Sequence, residues 1–560
     1  MKKLIYTLIF SLLLIGFFHP VFAITQDLGR HLKTGEIILQ THNIPKTNLF
    51  SYTYPDFPFI NHHWLPEVFY FLSFQKIGLN GLLVLNTALI FVSFGLILFA
   101  IKKTSSLALL FCSLLYIPIL FERTDVRPEF FSFLFLSLFI VILYKFREKY
   151  TRLIFLLPLI ELLWVNTHIY FPIGIFLIGI FLIDAIIPVM LNLFQHPKKE
   201  IPKQVRNDIV ILMLIFIASA LITLINPNGL KGALYPFSVF QNYGYPIEEN
   251  QNIFFLWNIV HKQSILFFFI AVPALFISLI LNFRRVLPVE WLMTIFFTIL
   301  AAISIRNFPL FVLATFIPFA KSISNIKFSL PKHFKKAFII FLLGLTIFEA
   351  QQVYSKKGFG LLEEKGAKAG ADFFIKNNLK GPIFNNFDIG SYLNYRLYPR
   401  EKVFVDGRPE AYPAAFFQNT YIPMQLDEKM FDSQDKKYNF NTIFFSHTDQ
   451  TPWAEKFIKQ ITQNPKWNIV YLDDFVVILT KDKNIKPDIK TNYSNLQSLI
   501  QLAHFLQNTH FINEEIKVYK DILNLNPKSC PALYNLALKL QSKNDPSSPI
   551  FIEKFNQNCQ

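Results

Sequence analysis

Asp27-Leu28-Gly29-Arg30-His31-Leu32-Lys33-Thr34-Gly35 and, a short way downstream, Asn61-His62-His63-Trp64-Leu65 decide how the chain is read. Both stretches lie in one polar segment, residues 24–77, wedged between two long apolar runs. A charged side chain at the centre of a bilayer costs about 2.5–3.5 kcal/mol on insertion scales, so ionisable groups retained beside apolar runs are candidates for function. Within the segment, residues 27–40 show helical apolar spacing at Leu28, Leu32, Ile37 and Ile38, with Asp27 placed as an N-cap. Residues 66–76 suit a second helix with Pro66 in its first turn. It is too short to span and is expected flat on the membrane surface. A Pro- and aromatic-rich connector, 44–60, lies between the two.

Outward from this segment the chain is dominated by apolar runs. Hydrophobic residues make up 52% of the 560 and charged residues 16%, which excludes an ordinary soluble protein. Runs at 1–23, 78–101, 105–120, 129–146, 153–166, 171–194, 209–225, 264–282, 287–304, 308–320 and 337–350 predict an all-α polytopic domain, residues 1–350, with about eleven transmembrane helices. The first run is read as an uncleaved helix; the alternative is a secretory signal ending at Val21-Phe22-Ala23. A net charge of +16 would suggest nucleic acid in a soluble protein. Here the Lys and Arg residues collect in short loops, among them Lys102, Lys103, Lys145, Arg147, Lys198, Lys199, Arg284, Arg285, Lys321 and Lys327, and no nucleic-acid partner is expected. By the positive-inside rule these loops face the cytoplasm, the N-terminus lies inside, and everything after about residue 351 lies outside.

That outer remainder has soluble character. Residues 351–487 predict an α/β domain, with strand signals at 382–385, 402–407 and 441–445, a hairpin about Asp473-Asp474, and helices near 365–378 and 453–463. Residues 488–560 are helical. Tyr519, Leu523, Pro527, Ala532, Tyr534, Asn535 and Ala537 resemble one tetratricopeptide unit and part of another, a segment suited to a protein partner. Cys112 reads as a core residue, Cys530 and Cys559 are able to pair in an oxidising compartment, and no cysteine spacing matches a zinc or iron–sulfur site.

With this topology the outer ends of the spans gather Asp27, His31, His62, His63, Arg123, Arg127, Asn166, His168 and Arg306. Carboxylate, imidazole and guanidinium together suit transfer of a group from a phosphate carrier. A base takes the acceptor proton, and cations hold the departing phosphate, Arg doing so bidentately. Asp27 is the candidate base, Arg123, Arg127 and Arg306 are the candidate phosphate ligands, and His31, His62, His63, Asn166 and His168 complete a substrate-binding set. Bland readings stand beside these: Asp27 as a cap alone, Arg127-Pro128 as a helix start, Asn226-Pro227-Asn228-Gly229 as a turn. Adjacent histidines do not define a metal site. Two acids lie inside apolar runs: Glu161, about one and a half turns from Asn166, and Asp184, for which no role is assigned.

The residues carry a family resemblance. Asp27 to Gly35, Ile44-Pro45-Lys46-Thr47-Asn48-Leu49-Phe50-Ser51-Tyr52, His62-His63-Trp64-Leu65-Pro66-Glu67, Arg127-Pro128, Trp164-Val165-Asn166-Thr167-His168, Arg306-Asn307 and Val405-Asp406-Gly407-Arg408 resemble a bacterial group of GT-C type glycosyltransferase-like membrane proteins. These are akin to the dolichyl- and polyprenyl-phosphate mannosyltransferases, and many end in tetratricopeptide repeats. The resemblance implies a multi-pass protein of the bacterial cytoplasmic membrane. It implies a polyprenyl-phosphate-linked sugar as donor, an extracytoplasmic lipid, glycan or protein acceptor, and Asp27 as base. Many members place a second acid beside the first; here Gln26 and Leu28 flank Asp27, which favours a reaction with no metal or other cofactor. Two other classes compete. A transporter or flippase would use Glu161, Asp184 and Arg306 along a path to both faces, and a non-catalytic scaffold would bind a partner through the helical tail. A transferase requires Asp27 and Arg306 to face one cavity.

Overall fold

The computed structural model describes the chain except residues 1, 21–26, 102–103, 196–202, 239–242, 327–331, 361–365 and 560. Val21-Phe22-Ala23, Gln26 and the loop cations Lys102, Lys103, Lys198, Lys199 and Lys327 therefore lie outside the described residues.

Among the described residues each apolar run contains a helix, as a chain in hydrocarbon must to pair its own backbone. Seven helices among the described residues are long and apolar enough to cross a membrane: Trp64–Ala100, Glu129–Glu148, Pro172–Met190, Val205–Ile222, Gln263–Leu281, Ile305–Asn325 and Lys336–Ser355. The protein is a multi-pass membrane protein. Three further apolar helices, Lys3–Phe17, Ser106–Leu120 and Pro288–Ile303, are shorter, and Leu157–Val165 is shorter still. Burial sorts them. The helix at Ile305–Asn325 is 83% buried and forms the middle of the bundle, whereas the one at Val205–Ile222 is 17% buried and sits at its rim. Cys112 lies in the buried middle as a free thiol.

The segment expected to lie flat, 66–76, and the span expected at 78–101 form one path bent at Gly78, whose φ of 66° and ψ of −170° are open to glycine alone. Asp184 does take a partner on another helix. Its Oδ2 lies 2.6 Å from Arg147 Nε, and its Oδ1 accepts from the Val289 backbone N–H, capping the Pro288–Ile303 helix from outside it. Asn226-Pro227-Asn228-Gly229 is a turn, held by Asn226 Oδ1 accepting from Asn228 N at 2.8 Å.

At one end of the bundle sits a five-stranded sheet: β1 (Ile383–Asn385), β2 (Thr442–Ser446), β3 (Asn468–Leu472), β4 (Val476–Thr480) and β5 (Asp488–Ile489), in the order β1-β2-β4-β3-β5. The β3–β4 hairpin turns at Asp473, whose carboxylate accepts from the backbone N–H groups of Phe475 and Val476. The strand expected at 402–407 does not join the sheet. Its backbone is claimed by the Asn385 side chain, which accepts from Phe404 N and donates to Val405 O, and by the connector, through Val403 N to Phe50 O. Helices Leu496–Leu506, Ile512–Leu525, Cys530–Ser542 and Ser548–Cys559 follow in sequence, with Cys530 and Cys559 joined as a disulfide. Leu499, Leu502 and Leu536 share one hydrophobic core with Phe384 and Phe445, so the tail packs on the sheet domain.

Body and domain meet through the connector and the Leu28–Thr41 helix. Arg408 is clasped by Asp406 at 2.6 and 2.9 Å, donates to Asn48 Oδ1 at 2.7 Å, and lies between the rings of Phe50 and Phe59. Gly35 crosses the backbone of Glu67 so closely that a Cβ would strike Glu67 O, and a Cβ at Gly29 would meet Ser391 O at 3.1 Å. Two small residues thus let one helix touch both the bundle and the domain, which places Asp27 at the seam.

Candidate functional site

Asp27 is not an N-cap in the sense expected. Its backbone is already helical (φ −67°, ψ −5°), whereas a capping residue is typically extended, and its side chain accepts nothing from the first turn. The carboxylate instead turns to Arg30, 3.5 Å away, and to the Ser391 hydroxyl at 3.5 Å.

It faces a cavity of about 420 Å³ between the bundle and the sheet domain. Of the nine residues singled out from the sequence, Asp27, His62, His63, Arg127, His168 and Arg306 line it. The other three stand behind. His31 Nδ1 is 2.9 Å from Glu67 Oε1, and Glu67 also accepts from Asn61 and pairs with Arg30. Arg123 grips Glu129 bidentately at 2.7 and 2.8 Å. Asn166 accepts from Trp64 Nε1 and donates to Leu162 O and Ile225 O, so its amide is consumed in joining three segments.

Sequence reasoning missed most of the partner set. Glu249, in a polar loop, bridges Arg123 at 2.6 Å and Arg127 at 2.9 Å, and its backbone carbonyl accepts from Ser304. Neighbouring Asn250 accepts from Arg306 at 3.4 Å. Tyr245 of the same loop stacks on Phe387 at 4.2 Å, so this loop ties the arginines of the bundle to the domain. The domain contributes Asp388, Ser391, Gly407 and Glu410 to the wall. Asp388 had one readable signal: it opens a helix directly after β1.

The electrostatics divide the carboxylates. Burial acts to raise Asp27, but the charges of Arg30 and Arg127 outweigh it and hold the carboxyl below its ordinary value. Glu249 is likewise lowered, burial being overcome by Arg123, Arg127 and Arg306. Asp388, exposed at the cavity wall, goes the other way, to about 7, through desolvation within the site first and then the charges of Asp449 and Asp27. Burial depresses His31, His63 and His168, and takes His62 down to about 3, so the imidazoles are neutral and offer polarity without charge. The positive charge in the cavity belongs to Arg30, Arg127 and Arg306. The Nε atom of each is buried with no hydrogen-bond partner among the described residues. A buried guanidinium N–H without an acceptor is costly, so three such groups beside one cavity call for an explanation. Among the described residues no three His, Cys, Asp or Glu side chains are grouped to hold a metal ion.

No family model matches the sequence, and no curated protein does. Solved structures do. The Archaeoglobus fulgidus oligosaccharyltransferase in its apo form superposes with a TM-score of 0.54 at 11% identity, covering 82% of this chain and 71% of that one. The archaeal oligosaccharyltransferase AglB from the same organism, in complex with an inhibitory peptide and a dolichol-phosphate, gives 0.51 at 11% identity over 82% and 70%. ArnT from Cupriavidus metallidurans bound to undecaprenyl phosphate gives 0.51 at 12% identity over 87% and 99%. The fold is of GT-C type. Within this GT-C fold the in-span acids stay apart from the cavity. Glu161 is fully buried, its carboxylate oxygens without a partner among the described residues, and Asp184 is held near Arg147 at the opposite end.

Proposed function

We propose that the protein is a membrane glycosyltransferase that moves a sugar from a polyprenyl-phosphate donor to an extracytoplasmic acceptor, with Asp27 as general base. The observation that carries the reading is the convergence of the Asp27 carboxylate with Arg30, Arg127 and Arg306, each with an Nε lacking a partner among the described residues, on one cavity. In the reaction, Asp27 takes the proton of an acceptor hydroxyl as that oxygen bonds to the anomeric carbon. The bond from the anomeric carbon to phosphate breaks, and the released phosphate keeps the electron pair. Arg127 and Arg306 hold that charge, and the chemistry is assigned to these side chains without a cofactor. The lowered carboxyl of Asp27 suits a group that is ionised before each turnover. Support for the donor class comes from the fold shared with ArnT bound to undecaprenyl phosphate and AglB with dolichol-phosphate.

In this reading the cavity faces the outside of the cytoplasmic membrane and the basic end faces the cytoplasm. A second cavity, of about 460 Å³, lies at the basic end, lined by Arg285, Glu290 and Lys321. It shares no residue with the first, and neither Glu161 nor Asp184 lines either, which favours transfer over transport through the bundle. The test is transfer from a radiolabelled polyprenyl-phosphate sugar in proteoliposomes. Asp27→Asn is expected to lower turnover by about 10²–10⁴-fold with membrane insertion intact. Turnover at the wild-type rate removes Asp27 from the mechanism.

A further inference from the structure

A second large cavity on the domain side, about 580 Å³, runs between the Pro452–Ile461 and Leu496–Leu506 helices. The two cavities share a wall at the 449–451 turn: Asp449 and Gln450 line the groove, and Thr451 lines the cavity that holds Asp27. Asp449 fixes this turn by accepting from Thr451 N at 3.0 Å and from Asn386 Nδ2 at 3.1 Å.

The lining selects a chemistry. Gln450, Gln497 and Gln501 present amides with no hydrogen-bond partner among the described residues. His447, 6% exposed, donates through Nε2 to Asp473 O at 2.9 Å, which leaves Nδ1 as an acceptor, and that atom has no partner. Burial holds this ring down to about 4, so it is neutral and waits for a hydroxyl or N–H rather than a carboxylate. Phe505 packs on the imidazole at 4.8 Å and, with Ile458, gives the floor a flat apolar strip. Asp449, Glu455 and Lys459 all line the groove, so charges of both signs are present. Helices border the groove, and it offers no strand edge for an extended peptide. Its apolar side chains are Ile458, Ile500 and Phe505, set among amides and charges rather than in the continuous stripe that an amphipathic helix fills. Amides, a neutral imidazole and an aromatic floor suit a neutral polyhydroxylated chain.

Resting on the transferase reading, we infer that this groove binds a neutral oligosaccharide acceptor and delivers its end across the 449–451 turn to Asp27. The test uses full-length protein in nanodiscs and fluorophore-labelled neutral hexose tri- to hexasaccharides, read by anisotropy. Wild type and Asp27→Asn are expected to bind alike, and Gln497→Ala/Gln501→Ala to bind at least about tenfold more weakly. The double variant is expected to keep the wild-type unfolding temperature, since both amides lie on the groove surface. Absence of binding to wild type across the series, binding unchanged in the double variant, or displacement by an unstructured peptide at lower concentration than by unlabelled oligosaccharide overturns the inference. Failure of Asp27→Asn to lose transfer would sink the base assignment and leave the binding result standing, so the two outcomes separate.

Discussion

Asp27 and Asp388 line one cavity with opposite electrostatic histories. Arginines hold Asp27 ionised, so its charge is lost only below its ordinary carboxylate range. Asp388 is raised to about 7, so it is neutral below that pH and gains a negative charge above it, next to Asp449 and Asp27. An added negative charge opposes an incoming phosphate. Donor affinity is therefore expected to fall as pH rises through about 7, and Asp388→Asn to flatten that dependence; a slope unchanged in the variant contradicts the assignment. The depressed imidazoles add no limb near their usual titration, because His62, His63 and His168 are already neutral there. Residue chemistry of this kind was half legible in the chain. Asp27, Arg127 and Arg306 stood out as ionisable groups at the ends of apolar runs. Glu249 and Asp388 did not, because an acid in a polar loop or at a helix start has too many ordinary uses, and only tertiary contact shows which arginine it meets.

The elements that place the site are the Leu28–Thr41 helix, the bent helix from Trp64 and the connector between them. Apolar periodicity made these helices readable. The connector's attachment was not, since its partner Arg408 lies some hundreds of residues away and its strand-like setting, 402–407, joins no sheet. Arg408 is 2% exposed and neutralises the fully buried Asp406. Removing one member of a buried pair leaves an uncompensated charge, typically costing about 3–5 kcal/mol. Arg408→Ala is expected to lower the unfolding temperature and open residues 44–60 to protease, with Arg408→Lys rescuing only in part because it lacks the planar fork. An unchanged digestion pattern argues against this contact as the clasp. At the bend, Gly78 has nothing within 4 Å of a built Cβ, so Gly78→Ala tests backbone conformation alone. It should destabilise the protein by about 1–3 kcal/mol, read as a lowered unfolding temperature; equal stability would mean that the bend is not held.

At the scale of the whole molecule, a mostly helical polytopic body with a small sheet beside it was legible from composition and from strand-like patterning late in the chain. The number of crossings was less so. Eleven runs are helical, but short runs such as Ser106–Leu120 sit in the buried middle, where length alone does not decide whether a helix crosses. The sidedness proposed from the basic end is open to direct test. Single cysteines at Lys149 and Lys466, in a Cys530→Ser/Cys559→Ser background, are expected to react with a membrane-impermeant maleimide in intact cells only at the second position. The reverse pattern inverts the topology and puts the cavity on the cytoplasmic face. The central claim, that the arginines beside Asp27 receive the carrier phosphate, is tested most directly by cryo-electron microscopy of Asp27→Asn with a polyprenyl-phosphate sugar. The account predicts phosphate density within hydrogen-bond reach of Arg127 and Arg306, in the cavity shared with Asp388. Phosphate density beside Arg285 and Lys321 at the other end of the bundle would contradict it.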